Sequence, residues 1–292
     1  MAATLSEQVA KIRTVGSRWR LPLTLGAAAV FIIGLGMSAR YLDLNWSQVS
    51  IAPILLILLC LGPLGLVLAA ISLQLSARAV GRRIGFRDAL AASAIGRISE
   101  ILPVPGGAMV RGAALVRSGA GLGESTWIVT LTAFLTLSMA TALGSVPFMA
   151  TGSPVGYIVL IAGGGGTLVS ILWIVRRAGA AVAAAMVVLR LGNLVLGVAR
   201  VSAAFAAIGL ALGPVDAALF VICATLGTSV AIVPAGLGVA EVIAAALALL
   251  VQVPPAGAFL AVALNRVVGL VMSGVVAVII ATMFNHPKAK QR

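Results

Sequence analysis

Charged residues are scarce in this sequence, and acidic residues are the scarcest of them. Only 9% of the 292 residues are Asp, Glu, Lys or Arg, whereas a soluble domain has about 25%. Hydrophobic residues make up 61% of the chain, and the mean hydropathy is +1.18. This composition excludes an ordinary soluble protein. It predicts an all-α polytopic membrane protein without a separate soluble domain.

The residues that metal sites and nucleophilic catalysis use are also rare. The chain contains one histidine, His286, and two cysteines, Cys60 and Cys223, which both lie in apolar stretches. These few residues argue against a histidine metal site, a disulfide framework and Ser-His or Cys-His catalysis. We therefore expect a protein that is not an enzyme and that requires no metal or other cofactor.

Basic residues are present in large excess over acidic ones. The 20 Lys and Arg residues face 7 Asp and Glu residues, which gives a net charge of +13. In a soluble protein this balance would suggest a nucleic-acid partner. Here most basic residues flank apolar runs, where they set the orientation of membrane spans and contact anionic lipid head groups. We therefore expect the membrane bilayer as a partner, and no nucleic acid.

Six apolar runs are long enough to cross the hydrocarbon core of a bilayer, which takes about 20 residues. The predicted spans are 21–37, 51–75, 126–149, 155–175, 191–213 and 256–283. We interpret 21–37 as a retained helix rather than a cleaved signal peptide, because more spans follow it. The stretch 178–190 fits either an interfacial helix or the beginning of the fifth span. Four consecutive glycines, Gly163 to Gly166, predict close packing of the fourth span against a neighbour.

Two further apolar regions, 88–120 and 215–251, are interrupted by Pro-Gly turns. The first turn reads Leu-Pro-Val-Pro-Gly-Gly over 102–107, and the second reads Val-Pro-Ala-Gly-Leu-Gly over 233–238. The apolar arms beside each turn are too short to span. A turn at membrane depth persists only where it is buried in protein or lines a cavity. We predict two re-entrant helical hairpins, as in secondary transporters; kinked helices or ordinary loops are the alternative.

The distribution of basic residues predicts that both termini are cytoplasmic, in a bacterial-type cytoplasmic membrane. With this orientation the outer links hold only Arg40. The inner segments hold Lys11, Arg13, Arg18, Arg20, Arg78, Arg82, Arg83, Arg87, Arg176, Arg177, Arg190, Lys288, Lys290 and Arg292. Six crossings then put the two hairpins on opposite sides of the membrane, so that the two halves form an inverted-topology repeat.

This topology divides the chain into four parts. Residues 1–20 form a cytoplasmic N-terminal segment, and residues 284–292 form a basic cytoplasmic tail. Between them lie the first transmembrane repeat, 21–175 with the hairpin 88–120, and the second transmembrane region, 176–283 with the hairpin 215–251.

The motifs around the two turns are similar to those of a known family. The run Ile101-Leu-Pro-Val-Pro-Gly-Gly-Ala-Met-Val-Arg111 resembles the first motif of the lysylphosphatidylglycerol synthase transmembrane region. The run Val233-Pro-Ala-Gly-Leu-Gly-Val-Ala-Glu241, followed by Asn265-Arg266, resembles its second and more specific motif. The resemblance covers roughly 50–283 and implies a flippase-like membrane protein. The aminoacyl-transferase domain of the two-domain enzymes has no counterpart in this sequence, so we expect no lysyl transfer.

The candidate substrate-binding residues are turn residues and charged residues at membrane depth. They are Pro105, Gly106, Gly107, Arg111, Pro234, Gly236, Gly238, Glu241 and Arg266. Arg266 lies roughly 16 Å into the last span at 1.5 Å per residue, a depth at which a charged residue usually has a function. The glycines and helix N-termini at the turns would suit a phosphate group.

Each remaining charge at this depth has its own expected role. Glu241 is expected to pair with Arg266 or to bind a proton or cation, and Arg111 to guide the head group; structural ion pairing is the alternative for both. Arg200 is expected to snorkel partly inward or to pair structurally, and a functional role is the alternative. Arg97 and Glu100 are expected to pair with each other, because they lie one helical turn apart.

Together these features predict a transporter or flippase of an anionic lipid. The expected partner is an anionic phospholipid or a polyprenyl-phosphate-type intermediate of the cell envelope, and the protein is compatible with a homo-oligomer. The alternative is a non-transporting scaffold or regulator of an envelope-lipid enzyme, which would have no need of an arginine near the midplane. An intramembrane enzyme is the least favoured hypothesis, because the few acidic residues are scattered.

Overall fold

A computed structural model describes residues 26, 29, 31–43, 49–100, 106–150, 152–229 and 238–284. Every regular element within these ranges is a helix, which confirms the predicted all-α class. Residues 31–41 are helical. The helices that follow are α1 (Ile51–Ala79, with a π-helical turn at Ile57–Leu61), α2 (Phe86–Ser99), α3 (Gly106–Arg117), α4 (Leu122–Gly144), α5 (Val146–Ala150), α6 (Pro154–Ala178), α7 (Ala180–Ala207), α8 (Pro214–Ser229), α9 (Val239–Ala248) and α10 (Pro255–Phe284).

Five helical stretches among the described residues are long and apolar enough to cross a membrane. They are α1, α4 together with α5, α6, α7 and α10. Large apolar side chains such as Leu59, Ile161 and Val195 are more than half exposed on these helices, as expected of a surface that faces lipid. The protein is therefore membrane-embedded. Of the predicted span 21–37, residues 26, 29 and 31–37 are described, and they are helical; the rest of this span lies outside the described residues.

The fifth span begins earlier in the structure than the sequence predicted. Helix α7 runs without a break from Ala180 to Ala207, so most of the ambiguous stretch 178–190 belongs to the span, and Arg190 lies inside it rather than in a flanking segment. Gly179, with φ +86°, separates α6 from α7. The glycine allows the chain to leave one helix and start the next without a loop.

Two pairs of short helices correspond to the interrupted apolar regions. Helices α2 and α3 have 14 and 12 residues, and α8 and α9 have 16 and 10; the longest is about 24 Å, less than the roughly 30 Å of a hydrocarbon core. The two helices of each pair pack against each other. The turns between them, including Pro105, Pro234 and Gly236, lie outside the described residues.

The site is enclosed by helices from both halves of the chain. Helix α2 packs against α1, α3 and α10, while α7 packs against α1, α8 and α10. Helix α10 also packs along α9. Consequently α10 has the first short pair on one side and the second short pair on another.

Candidate functional site

A buried ion pair joins α9 to α10. The Nη1 atom of Arg266 lies 3.0 Å from Oε1 and 3.2 Å from Oε2 of Glu241. The Glu241 side chain is fully buried, and that of Arg266 is 12% exposed. The predicted pairing of these two residues is therefore present. Its role in substrate binding stays a prediction.

The Glu241 carboxylate is held in place by its own helix. Gly238, with φ +82°, precedes α9, and its N–H donates a hydrogen bond of 2.9 Å to Oε2 of Glu241. This bond satisfies an N–H group that the start of a helix would otherwise leave open. The negative carboxylate also lies at the positive end of the helix dipole. The anion at the N-terminus of α9 is therefore the carboxylate of Glu241.

The left-handed backbone at Gly238 gives a first prediction. Gly238→Ala should lower the free energy of unfolding by about 1–2 kcal/mol, because an L-residue is strained at this φ. The measurement is thermal unfolding of the detergent-solubilised protein. Gly274→Ala is the control, since a Cβ at helical Gly274 would have nothing within 4 Å. Equal unfolding temperatures for the two variants would contradict the prediction.

A second ion pair joins the two helices of the first short pair. The Nη2 atom of Arg111 lies 3.1 Å from Oε1 of Glu100, and the side chains are 43% and 29% exposed. Glu100 was expected to pair with Arg97; its ion pair in the structure is with Arg111, and Arg97 also interacts with Glu100 electrostatically. Glu100 lies just past the end of α2, where α3 returns against it, and this tertiary contact outweighs the local spacing. Arg111 and Glu241 each have a separate partner.

The glycines of the first turn pack between helices. A Cβ on Gly106 would overlap the carbonyl oxygen of Ser99, and a Cβ on Gly107 would lie 2.7 Å from Oε1 of Glu100. Both glycines therefore allow the start of α3 to approach the end of α2 closely. Their predicted role as ligand-binding backbone stays untested.

A polar cavity of about 210 Å³ lies between α1, α2, α7, α8 and α10. Its polar lining residues are Arg97, Asn193, Arg200, Thr225 and Asn265. The rest of its wall is apolar, and no acidic residue is found among the described residues that line it. Among the described residues, the lining of this partly open cavity therefore has two arginines and no carboxylate.

Arg200 is held at the wall of this cavity by neutral groups. Its side chain is buried, with the residue only 7% exposed. Its Nε donates to Oδ1 of Asn265 at 3.1 Å, and its Nη2 donates to the Asn265 carbonyl at 3.4 Å. Arg200 is therefore paired with Asn265 inside the bundle and does not snorkel. Structural pairing was one of the alternatives predicted for it. Asn265 orients the guanidinium without neutralising its charge.

This cavity was not predicted from the sequence. Arg200 and Arg97 were expected to have other roles, and Asn193 was not among the candidate residues. A signal was present, because Asn193, Gly197 and Arg200 recur at spacings of four and three and so share one face of α7. A polar stripe of this kind on an apolar helix indicates a face turned away from lipid.

The charged groups inside the helices influence one another electrostatically. Arg97 interacts with Glu100, Arg111 and Arg200, while Arg190 interacts with Arg111. Arg266 interacts with both Glu241 and Glu100. The arginine group, as we name these side chains, consists of Arg97, Arg111, Arg190, Arg200 and Arg266 with Glu100 and Glu241. It contains more positive than negative charge.

No protein-family model matches the chain, and no curated protein matches it. The resemblance to the lysylphosphatidylglycerol synthase transmembrane region therefore stays a prediction.

Proposed function

We propose that this protein moves an anionic, phosphate-bearing lipid across a bacterial-type cytoplasmic membrane. The observation that carries the proposal is the excess of arginine within a bundle of apolar helices: Arg111 and Arg266 are paired with glutamates, while Arg97 and Arg200 line a cavity with no carboxylate among its described lining residues. A charge at membrane depth is costly, and it usually faces a cavity or a substrate path. An excess of positive charge there is best matched by an anionic substrate.

The proposed topology has six spans, with 21–37 as the first and the two short helix pairs as re-entrant hairpins entering from opposite sides. It is supported by helices too short to cross and by the basic residues at the ends of α1 and α6. Where α4 begins and α6 ends, the Arg177 guanidinium lies 5.7 Å from the ring centroid of Trp127 and 5.9 Å from that of Trp173. Tryptophan and arginine together are typical of a membrane–water interface.

A lipid is favoured over a soluble anion by two features. The candidate helices lie in a chain that is apolar almost throughout, and both turn motifs resemble those of a lipid flippase region. A scaffold protein is less well supported, since it would not require two arginines to line a cavity between apolar helices.

The proposal is tested by reconstituting the purified protein in liposomes that contain a fluorescent lipid. We expect faster transbilayer movement of phosphatidylglycerol or a polyprenyl phosphate than of phosphatidylcholine, because only the anionic lipids match the arginine group. Loss of inner-leaflet label to an impermeant quencher measures this movement. Liposomes with heat-denatured protein serve as the control. Equal rates for anionic and zwitterionic lipids, or no acceleration of any of them, would contradict the proposal.

A further inference from the structure

Two guanidinium groups that line the cavity both approach Gly269 on α10. A Cβ added to Gly269 would lie 2.9 Å from Nη2 of Arg200 and 3.9 Å from Nη2 of Arg97. The two groups come from α7 and α2, which are far apart in sequence, and both reach the position that a side chain at residue 269 would occupy. Two positive charges within the same apolar bundle repel each other.

The charge of Arg200 is not balanced by an acidic side chain among the described residues that line the cavity. The hydrogen-bond acceptors of Arg200 both belong to neutral Asn265. Arg97 interacts with Glu100 outside the lining, and Glu100 already forms an ion pair with Arg111. Arg266 differs, because Glu241 contacts it directly at 3.0 Å. Buried charges are normally paired, so an anion between Arg97 and Arg200 would relieve both the repulsion and the cost of burial.

The remaining donors suit a tetrahedral anion. A guanidinium has five N–H groups, of which the contacts to Asn265 use only some. Asn193 donates one amide N–H to the carbonyl of Leu189 at 2.9 Å, and its second N–H is available to a ligand. Guanidinium forks bind phosphate oxygens in pairs, which adds geometric selectivity to charge.

The size of the cavity limits what it can hold. Its volume of about 210 Å³ equals roughly seven water molecules at about 30 Å³ each. This is room for a phosphate and a small substituent, but not for acyl or prenyl chains. Such chains would have to lie outside, against the apolar surface of the helices.

We propose that the lipid phosphate binds in this cavity between Arg97 and Arg200, rather than at the Glu241–Arg266 pair. The proposal rests on the proposed lipid transport and specifies its site and its substrate class. The cavity offers no carboxylate to a cationic head group. It therefore selects a phosphomonoester, or a phosphodiester with a neutral substituent, over a zwitterionic lipid.

The test measures binding of short-chain lipids to the detergent-solubilised protein by isothermal titration calorimetry. The probes are dihexanoyl phosphatidic acid, dihexanoyl phosphatidylglycerol, dihexanoyl phosphatidylcholine and inorganic phosphate. Arg200→Gln and Arg97→Gln should each weaken binding of the anionic lipids by about tenfold or more, the effect of a lost charge-assisted hydrogen bond. Arg117→Gln is the control, because it also removes one arginine charge but lies exposed at the end of α3, outside the arginine group and the cavity lining.

Each outcome decides a separate point. If Arg117→Gln weakens binding as much as Arg200→Gln, the effect is one of overall charge and the site is wrong. If Arg200→Gln does not fold, the half-buried Arg97 supplies the deciding variant, and unchanged binding by folded Arg97→Gln overturns the proposal. Inorganic phosphate binding as tightly as the lipids would overturn the lipid assignment.

The same variants separate the site from the proposed function. Wild-type-like lipid movement by folded Arg97→Gln would refute the site and leave transport intact. Tight binding that these variants abolish, in a wild-type protein that moves no lipid, would refute transport and leave the site intact.

Discussion

Arg266→Met is expected to reduce the free energy of unfolding by about 3–5 kcal/mol, because it leaves the Glu241 carboxylate buried without its cationic partner. The carboxylate is fully buried, so water cannot replace the lost contact. The Gly238 N–H remains as a hydrogen-bond donor, but it carries only a partial charge. The measurement is unfolding of the solubilised protein by heat or denaturant.

Two further variants make this result specific. Glu241→Gln combined with Arg266→Met removes both charges and keeps an oxygen that accepts from Gly238, so most of the stability should return. Arg111→Met removes the cation of the half-exposed pair with Glu100, and it should cost about 1 kcal/mol or less. A loss for Arg266→Met no larger than that for Arg111→Met would show that the α9–α10 pair is not buried.

Gly163→Ala is expected to reduce the free energy of unfolding by about 3 kcal/mol, the upper part of the usual range for overpacked sites. A Cβ at Gly163 on α6 would overlap the backbone nitrogen of Ala142 on α4 and lie 2.8 Å from the carbonyl oxygen of Ser138. Both atoms belong to the backbone of a packed helix, so neither moves aside without separating α4 from α6. Thermal unfolding in detergent measures the loss.

The neighbouring residue provides the control. A Cβ at Gly164 would have nothing within 4 Å, so Gly164→Ala should leave stability unchanged or raise it slightly, since alanine favours helix more than glycine does. Both variants replace a glycine of α6 by alanine. They differ only in whether the added methyl group contacts atoms of α4. A comparable loss at both positions would attribute the effect to the helix itself rather than to its packing.

The membrane spans could be predicted from the sequence because each one is specified by its own run of apolar residues. A run of about 20 apolar residues has few alternatives to a membrane helix, and α1, α4, α6 and α10 lie close to their predicted limits. The run of glycines also predicted close packing, and the structure assigns that contact to Gly163 and Gly166. The boundary of α7 was misplaced because Gly179 alone, without a polar loop, ends the preceding helix.

The candidate site could be predicted only in part, because most of its contacts join residues that are far apart in the sequence. The Glu241–Arg266 pair was one of the two roles expected of Glu241, and the structure contains it. The ion pair of Glu100 was not expected, since the spacing of Arg97 and Glu100 carries no information about where α3 returns. The cavity needs five helices to form its wall, and only the polar stripe on α7 pointed to it within one segment.

Asn265 and Arg266 are consecutive residues on α10, and they serve different sites. Adjacent residues on an α-helix point about 100° apart, so Asn265 reaches Arg200 on α7 while Arg266 reaches Glu241 on α9. Helix α10 therefore couples the two sites mechanically. A rotation or translation of α10 that changes the contact between Asn265 and Arg200 also changes the contact between Arg266 and Glu241. The cavity and the buried ion pair consequently move together.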